Sequence, residues 1–169
     1  WALNWLAEAG IPGAVPEALL HDLDAAVGEY GVAAGPGLPQ DADTTAVTLS
    51  ALAQLGMPRE PASLWAYESP SHFCTWQGED GRSVSVNAHV LEAFGHYVRT
   101  GPPRAERYAA AMRRLSAWLA ARQDPDGSWS DRWHASPFYA TACCALALAR
   151  FGQGPAAAAA VGRAVDWVL

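Results

Sequence analysis

Gln40-Asp41-Ala42-Asp43-Thr44-Thr45-Ala46-Val47 marks the point where a Gly/Pro-rich loop, Gly35-Pro36-Gly37-Leu38-Pro39, turns into an apolar helix. Asp41 fits the N-cap position, and Asp43 and Thr44 fall in the first helical turn. Acidic residues are ordinary there, because they meet free backbone N–H groups and the positive end of the helix dipole. Taken alone, Asp-x-Asp therefore says little more than helix start. Its chemical meaning depends on what accompanies it further along the chain.

The 169 residues suffice for one domain with a sizeable core. Hydrophobic residues make up 51%, yet no run approaches the ~18 apolar residues of a membrane span, so a globular chain with no transmembrane segment is expected. A net charge of −6 argues against nucleic acid, since no basic stripe is present to meet phosphates. The three cysteines, two of them adjacent at Cys143 and Cys144, make no disulfide framework and read as buried thiols of a reducing, cytoplasmic compartment. No signal peptide is visible. The chain starts at Trp1 and stops at Leu169 inside an apolar pattern, which suggests a piece of a longer protein. Eight tryptophans is a high number, and each needs a packing or functional reason.

Outward from the Asp41 stretch, apolar periodicity predicts helix after helix. Expected helices cover 1–9, from Pro16 to Gly31, about 42–56, a short turn at 61–67, 83–99, 104–123, 137–151 and 155–169, with stops at Gly10 and Pro12, Gly31, and Gly56 with Pro58. The segment 69–81 reads as irregular and 124–136 as a polar aromatic turn. No convincing strand appears. The fold class is all-α.

An internal repeat lies beneath this pattern. Gln77-Gly-Glu-Asp80-Gly81 and Gln123-Asp-Pro-Asp126-Gly127 share Gln-x-x-Asp-Gly, each before an apolar helix read as closing in Phe-Gly, at Phe94-Gly95 and Phe151-Gly152. Such spacing suits stacked helix pairs. The second copy continues as Ser128-Trp129. Asp-Gly makes a tight turn, the glutamine amide can bridge it to a neighbouring helix, and the tryptophan covers the joint, which is structural bracing.

Gln-x-x-Asp-Gly-Ser-Trp at 123–129 resembles the QW motif of terpene cyclases. Asp41-Ala-Asp43-Thr44-Thr45-Ala46 looks like the DxDDTA motif of class II terpene cyclases, which start cyclisation by protonating an alkene. The stretch from Gly78 to Leu91 is similar to the one that follows it in bacterial class II cyclases of the copalyl diphosphate type. The resemblance implies that 1–169 is the β domain, an α/α barrel in whole or in part. It also implies an active site shared with a γ domain of the same polypeptide that is not evident here. Thr44 stands where the family has a third aspartate; this DxDTT form resembles the drimenyl diphosphate synthases, and on that ground farnesyl diphosphate is the favoured substrate.

An isolated alkene is a very poor base, so the acid must be protonated and yet strong, whereas an ordinary aspartate is mostly ionised at neutral pH. The resemblance assigns the acid to Asp43, with Asp41 and Thr44 tuning it and Asn87 as its hydrogen-bond donor. The carbocation needs π faces and exclusion of water; Trp65, Phe73, Trp76, Trp129 and Tyr139 are the candidates, with Trp133 and Phe138 as further supply. His89 and His96 lack metal-ligand partners at suitable spacing and read as ordinary histidines. Arg82, Arg99, Arg104 and Arg132 are the available cations for a diphosphate. The aspartate-rich Mg2+ site of class I synthases is absent, so the product is expected to keep its diphosphate. The family's Mg2+ is expected to bind through residues outside this chain. Two alternatives stand beside the drimane reading: a labdane-type cyclase of geranylgeranyl diphosphate, and a non-catalytic α/α scaffold.

Overall fold

The computed structural model describes residues 2–10, 15–103 and 105–169. The readings that fell on Trp1, Pro12 and Arg104 lie outside these. Seven helices form: α1 (Ala2–Glu8), α2 (Glu17–Ala25), α3 (Ala42–Gln54), α4 (Val84–Arg99), α5 (Ala105–Ala120), α6 (Pro137–Phe151) and α7 (Pro155–Val168), with a 3-10 turn at Ala62–Tyr67. The protein is all-α, as the periodicity predicts. Among the described residues, no helix is long and apolar enough to cross a membrane.

Helix α4 is the axis of the packing. It lies against α3, α5 and α6, while α7 covers α5 and α6. Its residues from Val84 to Gly95 are all buried, so it needs partners on every side. The core runs from Leu49 of α3 through Val86, Val90 and Phe94 to Leu115, Leu119, Trp129 and Leu148.

Three expectations need correction. The first concerns strands: Val32–Ala33 (β1) and Gln40–Asp41 (β2) form a minimal antiparallel pair, with Val32 opposite Asp41. The buried Thr45 hydroxyl fastens this pair to α3. It donates to the Asp41 carbonyl at 2.6 Å and accepts the Val32 N–H at 2.8 Å. Segments this short carry no periodic signal.

The second concerns Phe94-Gly95, which closes no helix; α4 continues to Arg99. Gly95 instead lies against the Phe151 ring, where any Cβ would overlap the aromatic carbons. The residue lets α6 approach α4 rather than ending a helix. The third concerns the second helix, which is shorter than read and stops at Ala25, with no buried side chain.

The 123–129 turn behaves as the bracing reading predicts. Gln123 Nε2 donates to the Gly127 and Ala160 carbonyls, both at 2.8 Å, and Arg163 Nε donates to Gln123 Oε1 at 2.8 Å, which ties the turn to α7. Gly127 adopts φ +98° with the Arg163 carbonyl against it, a position that only glycine fills without strain.

Candidate active site

Asp41 is the N-cap of α3. Its carboxylate accepts the Thr44 N–H at 2.6 Å and the Thr44 hydroxyl at 2.9 Å. Burial raises the Asp41 pKa most, the two Thr44 bonds oppose that, and the Asp43 charge adds to the rise; the net shift is upward. Thr44 thus acts on Asp41, and no bond joins it to Asp43. A threonine in place of an acidic residue leaves the Asp43 contacts untouched.

Asp43 is the second residue of α3. Its Oδ1 lies 2.7 Å from His89 Nδ1, and its side chain is 21% exposed. Access and an ionic partner coexist at one carboxylate. Burial alone would depress the His89 pKa, but hydrogen bonds to Asp43 and then Cys143, with the charges of both, carry it up to about 10. The ring is therefore an imidazolium at neutral pH, and Nδ1–H donates to Asp43.

The ring of His89 also lines a pocket of about 230 Å3 together with Asn4 and Trp5 of α1, Glu92 of α4, and Tyr139, Cys143 and Leu146 of α6. Burial, the Cys143 thiol and the Asp43 charge push the Tyr139 pKa upward, so its phenol stays protonated.

Asn87 does not serve as the donor to Asp43. Its amide is fully buried and fully used: Nδ2 donates to the Phe73 and Ser83 carbonyls at 2.9 and 2.7 Å, and Oδ1 accepts the Phe73 N–H at 2.8 Å. Positions 87 and 89 point about 200° apart around a helix, so only one of them can face α3. His89, which the sequence marks as an ordinary histidine for lack of metal partners, is instead the partner of Asp43. The signal for it is the need of an acid for a cationic partner, and a histidine two positions from Asn87 is the nearest candidate.

The aromatic candidates divide. Trp65 and Phe73 belong to a core cluster with Phe94 and Tyr108, their ring centroids within 5.8 Å, and no π face of theirs lines the His89 pocket. Trp129 is completely buried, with Nε1–H donating to the Leu119 carbonyl at 2.9 Å and its backbone N–H donating to Thr141 Oγ1 at 3.0 Å. Its surroundings leave no room for a substrate. Trp76 is exposed, stands edge-on to Trp133 at 5.2 Å and lines a separate hollow with Tyr30 and Gln40. Tyr139 alone of the five shares a pocket with the Asp43 partner.

Two further carboxylates hold the frame. Asp131 caps α4 through the Ser83 hydroxyl at 2.8 Å and the Val84 N–H at 2.7 Å. Burial works to raise its pKa, and the bonds from Ser83, the Trp133 N–H and Ser85 overcome that, so it stays ionised. Glu79 accepts the Thr75 N–H at 2.8 Å and pairs with Arg132 at 3.0 Å. The Thr75 carbonyl in turn accepts the Ala42 N–H at 2.9 Å, next to Asp43.

Residues 76–169 match the model of the squalene-hopene cyclase C-terminal domain. The chain belongs to the class II terpene cyclases. Within this family it is 41% identical over its full length to an ent-copalyl diphosphate synthase of Streptomyces sp. (strain KO-3988), covering 32% of that protein. It is 44% identical over 99% of its length to a labda-7,13-dienyl diphosphate synthase of Streptomyces clavuligerus, covering 30%. Among solved structures, it superposes on the ent-copalyl diphosphate synthase of Streptomyces platensis with a TM-score of 0.94 and 53% identity, over 99% of this chain and 32% of that one. The chain thus spans about a third of the length of these class II cyclases.

Among the described residues, no three His, Cys, Asp or Glu side chains gather closely enough to hold a metal ion. The Mg2+ that this family implies finds no ligand set in them, and no step below runs through it.

The imidazolium predicts a pH signature. A pKa raised from 6.5 to about 10 contributes stability that is complete below pH 6.5 and is lost as pH climbs toward 10. Urea midpoints of His89→Gln, compared with wild type across that window, are expected to lack this downward slope. An identical slope in both proteins defeats the assignment.

Proposed function

We propose that this chain supplies the proton-donating half of a class II diterpene cyclase, which converts geranylgeranyl diphosphate to a bicyclic labdane-type diphosphate with the diphosphate retained. The observation that carries the reading is the Asp43 Oδ1–His89 Nδ1 contact of 2.7 Å, with the His89 ring lining the pocket that Tyr139 shares. His89 donates to Oδ1, which leaves Oδ2 as the oxygen that delivers the proton. As the proton passes to the terminal alkene, the fixed imidazolium stabilises the carboxylate left behind, and the N-terminus of α3 adds its dipole. Tyr139 offers a π face to the cation.

The C20 substrate replaces the C15 one favoured from the DxDTT form, for two reasons. Thr44 bonds only to Asp41, so its departure from the family pattern does not bear on chain length. The relatives, moreover, are named for copalyl and labdadienyl products.

Incubation of the full-length polypeptide with geranylgeranyl and farnesyl diphosphates and Mg2+, followed by dephosphorylation and mass spectrometry, tests the reading. A bicyclic C20 alcohol is expected. A C15 product alone returns the substrate to farnesyl diphosphate, and no product from folded protein ends the catalytic reading.

A further inference from the structure

We propose that the apolar trough between α6 and α7 seats an amphipathic helix of the same polypeptide, drawn from outside residues 1–169. The inference stands whichever prenyl diphosphate is the substrate.

Only Arg150 is charged among the 15 residues of α6. A helix so apolar around its whole girth belongs inside a folded protein. One of its faces does lie in the core, through Ala140, Cys144, Ala147, Leu148 and Phe151. The other carries Phe138, Ala142, Ala145 and Leu146 at helical spacing, and Phe138 and Leu146 are 65% and 44% exposed. Helix α7 continues this surface with Val165 and Val168, 50% and 61% exposed. The Phe138 and Trp167 rings meet at 4.8 Å and join the two helices at one end.

The two faces bound a hollow of about 520 Å3. Among the described residues, Thr141 is the one polar side chain in its lining, and its hydroxyl oxygen already accepts the Trp129 N–H. Such a lining dictates the chemistry of the occupant. It offers nothing to a visiting backbone, which must therefore satisfy its own N–H and C=O groups. A helix does this, whereas a strand or loop does not. No cation lines the trough to hold a diphosphate, so the substrate fits it less well. Ala142, Ala145 and Ala164 lower the floor, which lets a third helix axis come close.

The source of the helix follows from length. The chain spans 32% and 30% of two class II relatives, so about two thirds of such a polypeptide lies outside it. A segment of the same molecule reaches the trough at far higher effective concentration than a second copy does. The helix also bears on the acid. Ala142 and Leu146 line the His89 pocket as well as the trough, so a helix seated here closes that pocket's outer side against water.

A photo-cross-linker tests the assignment in the full-length protein, with p-benzoylphenylalanine introduced at Phe138. Irradiation is expected to join position 138 to a peptide from outside 1–169 at the mass of the monomer, read by gel and peptide mass spectrometry. A cross-linked band at twice the monomer mass assigns the face to a second copy and overturns the proposal. Absence of any cross-link beyond residues 1–169 overturns it too, and flotation with phosphatidylcholine vesicles in that case assigns the face to lipid. Val165→Asp gives a second readout that needs no cross-linker. It is expected to lower Tm by at least about 5 °C, because a carboxylate covered by the helix has no partner in the trough. An unchanged Tm means an open face, which defeats the proposal.

Discussion

Asp43→Asn in the full-length protein is expected to cut kcat for cyclisation about 10³-fold and to lower the thermal midpoint at neutral pH, because the carboxylate charge that sustains the His89 imidazolium is gone. The amide matches the carboxylate in shape, so Oδ1 still accepts from His89 and α3 keeps its first turn. What is lost is the proton. The comparison that gives the result meaning is Asp41→Asn. Asparagine is as good an N-cap as aspartate, and the hydrogen bonds of the Asp41 carboxylate run to Thr44. Product formation in Asp41→Asn is therefore expected to fall far less. Equal losses in both variants would mean that the two carboxylates act as one coupled pair, and full activity in Asp43→Asn would remove it as the acid.

Trp129→Ala is expected to be the most destabilising single change, at about 3–5 kcal/mol for a fully buried tryptophan. The cavity would open between α5 and α6, the Leu119 carbonyl would lose one of its two donors, and the turn that ties α7 to the core would lose its cover. Trp129→Phe keeps most of the packing and removes one of the two donors to the Leu119 carbonyl, which keeps the Arg122 N–H at 3.1 Å, at a cost of about 0.5–1.5 kcal/mol. Chemical denaturation gives both numbers. Had Trp129 faced the cation, Trp129→Phe would shift the product profile at constant stability; the burial predicts an unchanged profile in whatever fraction stays folded.

The parts of this molecule that can be read from its sequence are those governed by local rules. The α3 start was legible because N-capping is a contact between residues three apart, and the 123–129 brace because Asp-Gly fixes its own turn. Most helix extents followed from apolar periodicity; the second helix, read to Gly31, ends at Ala25. Contacts across the fold were not legible. Nothing local distinguishes Asn87, which anchors Phe73, from His89, which meets Asp43, since that depends on how α4 is rotated against α3. The same holds for the aromatics: Trp65 and Trp129 are as hydrophobic as Trp76, and only packing divides core from surface. Gly95 misled for a related reason. A glycine near a helix end resembles a stop, but this one makes room for Phe151.

Helix α6 carries two kinds of load along one short length. Thr141 receives the Trp129 backbone N–H, while Tyr139 and Cys143, two residues to either side, form the wall beside His89. Each residue added to a helix advances it by about 1.5 Å and turns it by about 100°. A one-residue insertion between Thr141 and Cys143 would therefore keep the joint seated and swing the thiol off the histidine. Evolution and protein engineers meet the same restriction. A change of length anywhere from Trp129 to Cys143 is expected to break one of these two contacts.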